Sequence, residues 1–365
     1  MKNSFGSGEP FTVGVEEEIF LVDTEAHELV HDAERIVEAM GLAKELGGHE
    51  APASQIELRS RPRASASEAA GDLVEGRNAA RDAGATLIGA GLHPTAPRDA
   101  VRLVDTERYR KVHEQMRGLI LRAAEAALHV HVGMPDPDSA LRAFNGLRGW
   151  LPLLRGLAAS SPFWFGRDSG LASARWALVR PYPGRGIPRP FSSWDEYERA
   201  LADSRLGGGP DDYTMIWWDV RLHPALGTIE LREMDAQSRL GDVAALAALI
   251  QGLARHHAEN EGDVVPTDAI EWSAFRAARD GLRAEILLGD RLVPLPEAAR
   301  AAVELAMPHA RESGSEIALA GIDQLLNEGN GADRQRIAFE GGGMEAVLEL
   351  LVDETAAPLR KAPAG

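Results

Sequence analysis

What most constrains this chain is a pattern repeated in five separate runs. Each run puts apolar residues on one face of a strand and ligand-type residues on the other. The reading rests on the alternation of side chains between the two faces of a strand. In Thr12–Val22, Val13, Val15, Ile19 and Leu21 share a face, and Glu16 and Glu18 fall opposite, beside Gly14. In Gln55–Arg59, Ile56 and Leu58 oppose Gln55, Glu57 and Arg59. Val130 and Val132 oppose His129 and His131; Val220 and Leu222 oppose Asp219, Arg221 and His223. Ile229 and Leu231 oppose Thr228, Glu230 and Arg232. Glu17 breaks the rule by falling in register with the apolar face, and an edge position is the expectation for it.

An ordinary solvated sheet face is the bland reading of any one such run. Solvated faces favour Thr, Ser and Lys, however, and Lys is absent from all five runs. Two carboxylates ~4 Å apart repel by roughly 4 kcal/mol at an effective dielectric of about 20, so a face carrying Glu16, Glu18, Glu57 and Glu230 calls for cations. Carboxylates with imidazole and no thiolate suit Mg²⁺ or Mn²⁺. The arginines then suit an anion brought to those metals, which is the chemistry of phosphoryl transfer.

Composition narrows the field. The chain has 365 residues with 39 Lys+Arg against 56 Asp+Glu, a net charge of −17 that argues against coating nucleic acid or an anionic membrane. No cysteine is present, so disulfides, thiolate metal sites and a cysteine nucleophile are excluded. No apolar run approaches the ~20 residues that span a bilayer, and Met1–Pro10 lacks an apolar signal core, so the cytoplasm is the expected location. There is no phosphate loop, dinucleotide fingerprint, zinc helix or nucleophile elbow. A nucleotide would have to meet its metals on the sheet itself.

Strands and helices mix in the first two-thirds, with helices expected over Ser67–Ala83, Thr106–Ala127, Asp138–Ala159 and, with the capping pair Ser193 and Glu196, Ser193–Asp203. From about Leu240 the periodicity is helical: Gly241–Glu259, Thr267–Leu288, Pro296–Ala306, Ser313–Asn327 and Ala332–Leu351. This is an α+β pattern with an antiparallel or mixed sheet. One domain is expected, with a flexible stretch at 1–10, a sheet-bearing part at 11–236 and a mainly helical part at 237–355. The Pro/Gly-rich Arg180–Phe191 reads as an ordered loop and a candidate lid.

The segments FTVGVEEEIFLVD, QIELRS, HVHVGMPD and WWDVRLHPALGTIELREMD, in this order, resemble the carboxylate–amine ligases of the type 2 glutamate–cysteine ligase family. SPFWFGRDSGLASARW, RPYPGRGIPRPF and NGADRQR also look like that family, so the resemblance covers roughly Phe11 to Arg336. It implies a glutamine-synthetase-like catalytic fold whose antiparallel sheet holds metals on its concave face, with helices on the other. It implies ATP and Mg²⁺, phosphorylation of a carboxylate (typically that of glutamate), and capture of the acyl phosphate by an amine such as cysteine. By matching motif, Glu16, Glu18, Glu57, His131 and Glu230 resemble metal ligands, with His129 a weaker candidate that could also contact substrate. Arg232 would face the phosphates, and Asp219 and Arg221 would hold the substrate amine or the transferring group. Arg175 and Arg59 would contact substrate, and Arg334 and Arg336 would reach nucleotide phosphates. A homodimer is consistent with the resemblance. Two rival readings remain open: a metal-dependent hydrolase of phosphate or peptide substrates, and a non-catalytic nucleotide- or metabolite-binding protein.

Overall fold

The computed structural model describes residues 3–359. Its centre is a sheet of β1 (Val13–Val22), β2 (Gly47–His49), β3 (Gln55–Arg59), β4 (Thr86–Ile88) and β5 (Ala127–Gly133), completed late in the chain. A small hairpin, β6 (Phe163–Trp164) and β7 (Arg167–Asp168), intervenes before β8 (Val220–His223) and β9 (Thr228–Asp235). The spatial order is β2-β3-β1-β5-β9-β8, with β4 beside the second half of β1, and every pairing is antiparallel.

One face of this sheet is buried under helices, chiefly Ala66–Asp82, Pro137–Leu157 and Leu240–Glu259. The last of these is buried almost all round, which its alanines permit: Gly252 lies so near Ala306 that an added Cβ would sit 2.6 Å from the alanine's own. One apolar cluster runs from Val13 on β1 to Leu325 in the helical C-terminal part. The expectation of an α+β fold with an antiparallel sheet and a helical C-terminal part holds.

Boundaries moved where glycine or a strand intervened. The helix expected over Thr267–Leu288 stops at Asp280, because Gly281 adopts φ 57, and Glu285–Leu288 instead forms β10 of a hairpin with β11 (Arg291–Pro294). Thr106–Ala127 is α-helical only over Glu107–Met116, capped by the Thr106 hydroxyl, with a 3-10 turn at Arg117–Leu119, and Ala127 already belongs to β5. The expected Ser313–Asn327 helix is two, Glu316–Leu319 and Gly321–Glu328, and the final helix, Gly331–Ala356, kinks at Gly342 and Gly343. At Trp194–Leu206 the Ser193 side chain caps the helix as expected, but Glu196 reaches back to Ser192.

Two connecting segments matter for the site. Residues 3–10, expected as a flexible extension, lie along the sheet's end: the Ser4 N–H donates to Pro224 O, that of Gly6 to Met134 O, and Phe5 meets Trp194 edge-on. Met1 and Lys2 lie outside the described residues. The Arg180–Phe191 loop is a braced wall. Asn145 exchanges two hydrogen bonds with Phe191, Arg148 Nε donates to Pro188 O at 2.7 Å, and the Asp219 N–H donates to Gly186 O at 3.0 Å.

Candidate functional site

The register of the sheet assembles the site. Across the middle, Glu16 on β1 lies between Arg59 on β3 and His129 on β5. One row along, Gly14, His131, Glu230 and Arg221 follow one another over β1, β5, β9 and β8. On the other side, Glu18 faces Glu57. These side chains line a cavity of about 490 Å³. A second cavity, of about 540 Å³, backs onto the same Glu16, Arg59 and His131, with Ser4 and residues 6–9 in its wall.

A β-bulge in β9 shapes one end. Leu231 and Met234, three residues apart, both point into the core, and the register shifts opposite Leu128–Val130. Strict alternation therefore fails after Arg232. Glu233 and Asp235 turn away from the core and become buried carboxylates at the back of the site. Asp235 accepts from Ser160 N, Ser161 Oγ and Ser173 Oγ, which ties the segment after helix Pro137–Leu157 to the sheet. Burial pushes the Glu233 carboxyl up to about 8 despite the neighbouring Arg155 guanidinium.

The centre is crowded with potential ligands. One atom each from Glu16, His129 and Glu230 lies within 4.8 Å of the others. His131 Nδ1 pairs with the Thr228 hydroxyl at 3.0 Å, while its buried Nε2 has no hydrogen-bond partner among the described residues. That nitrogen points between Glu16 and Glu230, at 3.8 and 3.7 Å. An imidazole anchored through one nitrogen and free at the other is how metal-ligating histidines are held. A divalent cation suits this donor set. Burial is the largest influence on Glu16 and opposes its ionisation, but the two histidines outweigh it and hold the carboxyl well below its usual range. Glu18 differs. Burial, then the charges of Glu50 and Glu125, push its carboxyl up to about 8, although it accepts the Ala127 N–H at 2.7 Å. For His129, burial and then Arg232 bring the imidazole down to about 4, so it is neutral at pH 7.

The arginines divide into committed and available groups. Arg221 is spent on Glu230 Oε2, at 3.0 and 2.7 Å, and on the carbonyls of Thr214 and Ile216. Arg175 lines the cavity but binds Glu125 at 2.6 Å and the carbonyls of Glu233 and Met234. Arg59 lies on Glu57 and on Lys44 O. Arg232 pairs with Glu230 through one terminal nitrogen and keeps a buried Nε without an acceptor among the described residues. The sequence reading missed Arg185, which enters from the braced loop, and Glu50 and Glu125, which lie outside the alternating runs; all three line the cavity.

Several expected contacts lie elsewhere. Asp219 does not line the cavity; it is clamped between Arg155 at 3.1 Å and Arg185 at 3.3 Å, and so orients Arg185. Arg334 is buried against Glu354 and Asp242, and Arg336 pairs with Asp168; both lie outside the cavity lining. The edge position expected for Glu17 is also corrected: β1 is a central strand, and Glu17 meets Arg77 inside the core.

The sequence model of glutamate–cysteine ligase family 2 matches residues 12–353. The chain belongs to that family. Among its family 2 relatives, a protein provisionally named glutamate–cysteine ligase 2-3 in Rubrobacter xylanophilus is 40% identical over 98% of this chain and 100% of its own length. Another from the same organism, provisionally named glutamate–cysteine ligase 2-1, is 37% identical over 97% of both chains. The family fold is recognisable in solved structures of low identity. The glutamate–cysteine ligase of Francisella tularensis, solved in complex with AMP, superposes with a TM-score of 0.71 at 13% identity, covering 95% of this chain and 89% of that one. A bifunctional glutathione synthetase from Pasteurella multocida gives 0.66 at 14% identity, covering 94% and 52%. Among the described residues, no helix is long and apolar enough to cross a membrane.

Proposed function

We propose that this chain is an ATP-dependent carboxylate–amine ligase that phosphorylates a carboxylate, that of glutamate first among candidates, and joins it to an amine, cysteine being the family's namesake. The observation that carries the reading is the single sheet face on which Glu16, Glu18, Glu57, His131 and Glu230 converge with Arg232 and Arg185 over one cavity.

Carboxylates are poor electrophiles, and phosphorylation supplies the missing leaving group. Mg²⁺ or Mn²⁺ held by Glu16, Glu18, Glu57, His131 and Glu230 would neutralise phosphate oxygens. The chain's own residues do the rest. Arg232, with Nε uncommitted, and Arg185 present positive charge to the transferring phosphoryl group. Burial, the largest influence, lowers the proton affinity of Arg185, and Arg175 and Arg232 add to this against Asp219, so an arriving anion is welcome there. The Arg180–Phe191 wall limits water near the acyl phosphate. The carboxylate oxygen attacks the γ-phosphorus, ADP leaves, and the amine then displaces phosphate from the acyl carbon. A cytoplasmic setting, where ATP is available, goes with this reading.

The deciding experiment incubates the protein with Mg·ATP, glutamate and a panel of amines, and identifies products by mass spectrometry. Phosphate release that requires both carboxylate and amine, with a matching amide, supports the ligase. Amine-independent hydrolysis would replace it with the metal-dependent hydrolase. ATP binding without turnover across the panel would favour a binding protein.

A further inference from the structure

We propose that the amine enters a chamber at one end of the main cavity, between the polar trio Glu50, Glu125 and Gln55 and an apolar wall of Val112, Met116 and Ile120, and that it is a primary amine with an apolar, carboxylate-free substituent. This rests on the ligase reading and adds to it a place and a chemical class for the acceptor.

The chamber is built from three parts of the chain. The Glu50 N–H donates to Gln55 O, so the two residues face each other across β2 and β3. Gln55 Nε2 donates to Glu125 O at 2.6 Å, which draws in the segment before β5. Helix Glu107–Met116 closes the far side, fastened by the Tyr109 hydroxyl donating to His49 O, one residue from Glu50. Val112, Met116 and Ile120 turn from this helix and its continuation into the cavity.

What the chamber offers a ligand is a set of acceptors. Gln55 is fully buried, and because its Nε2 is fixed on a carbonyl, the other atom must be the oxygen. That Oε1 has no donor among the described residues. Glu50 forms no ion pair among the described residues; its carboxylate leans on the Ala51 N–H, with Arg108, Arg59 and Arg232 acting on it from farther off. Burial, the largest influence, holds the Glu50 carboxyl above its usual range. An ammonium supplies three donors, which the Gln55 Oε1 and the Glu50 carboxylate can accept. Of the guanidinium groups close by, Arg175 is committed to Glu125 and two carbonyls and Arg59 to Glu57 and Lys44 O, while Arg232, on β9, is paired with Glu230 and turned to the phosphate side of the proposed site. Arg108 is exposed at the rim. An α-carboxylate on the acceptor would therefore face Glu50 and Glu125 as a like charge, whereas an apolar substituent would bury itself against Met116 and Ile120.

The step balances. The amine nitrogen forms the C–N bond to the acyl carbon as the C–O bond to phosphorus breaks, and that electron pair leaves on phosphate. Of the two protons lost from the ammonium, one ends on the departing phosphate and one passes through the Glu50 carboxylate to solvent.

The test uses the full chain with Mg·ATP and glutamate, comparing amines in pairs: isobutylamine against valine and cysteamine against cysteine. The amine of each pair is expected to have a kcat/KM higher by about tenfold or more. Glu50→Gln should raise the amine KM by about tenfold while leaving the ATP KM in place, with Glu50→Asp recovering part of the loss. Met116→Ala should shift preference toward bulkier amines, and it decides the matter alone if the Glu50 variants do not fold. Consistent preference for the amino acids overturns the proposal. So does an amine KM and selectivity unmoved in these variants while amide still forms, and in that case the ligase reading stands. Absence of any amine-dependent ATP consumption removes both.

Discussion

Glu16, Glu17 and Glu18 are consecutive on one strand, yet their circumstances are opposite. Glu17 points into the core, fully buried, and receives two hydrogen bonds from Arg77, at 2.9 and 2.7 Å. The remaining three N–H donors of Arg77 go to the carbonyls of Gln237, Ser238 and Thr355, so all five are used. Glu16 and Glu18 point the other way, toward imidazoles and other carboxylates, with Glu18 held above its usual range by burial and like charge. A hydrogen-bonded guanidinium makes Glu17 a structural strut; Glu16, no nearer than 3.8 Å to Arg59, and Glu18 accept none among the described residues and are left to a cation from outside. The pleat separates the two functions at a spacing of one residue.

That contrast is exposed to direct tests. The largest effect should follow Glu16→Gln: ATP turnover falls by about 10³-fold or more with the melting temperature little changed. Full retained activity would remove the cation-site reading. Arg77→Ala should do the reverse, costing about 3–5 kcal/mol in urea denaturation because it leaves Glu17 charged and unpaired in the core. A loss under about 1 kcal/mol would show that the core tolerates the orphan and that the contrast is false.

A subtler effect concerns pH. With its folded-state value raised from 4.5 to about 8, the metal-free Glu18 contributes stability that is present at low pH and lost as pH rises through about 8. Cation binding favours the ionised form, so the rise in melting temperature on adding Mg²⁺ should be greater at pH 8 than at pH 6. An equal rise at both would place the cation away from Glu18. The smallest effect should come from an exposed helix pair such as Glu107–Lys111, at 2.8 Å, where Lys111→Ala should leave the urea midpoint all but unchanged.

Most of the ligand face was legible in the sequence because it obeys a period of two, and regular strands report their faces directly. The failures have separate causes. Glu17 has the parity of a core residue, and only the partner helix, 60 residues on, reveals why that is tolerable. Glu233 and Asp235 change sides because of the bulge after Arg232, which no count of alternation detects. Glu50, Glu125 and Arg185 come from segments outside the alternating runs, so nothing in their neighbours marks them. The opposite error befell Arg334 and Arg336, whose motif resembles the family's but whose guanidiniums are spent on Glu354, Asp242 and Asp168.

The Arg77 hub also has a consequence for the order of events during synthesis. Its five bonds join Arg77 to residues 60, 160, 161 and 278 positions away along the chain. A ribosome releases these in sequence, so Arg77, which holds Glu17, lacks the last of its acceptors until Thr355 has emerged. The nascent core therefore passes through a long interval with a buried guanidinium short of one acceptor, and domains of this size are prone to trapping at such stages. Ribosome-bound chains ending before Thr355 should expose β1 to protease, and full-length chains should protect it.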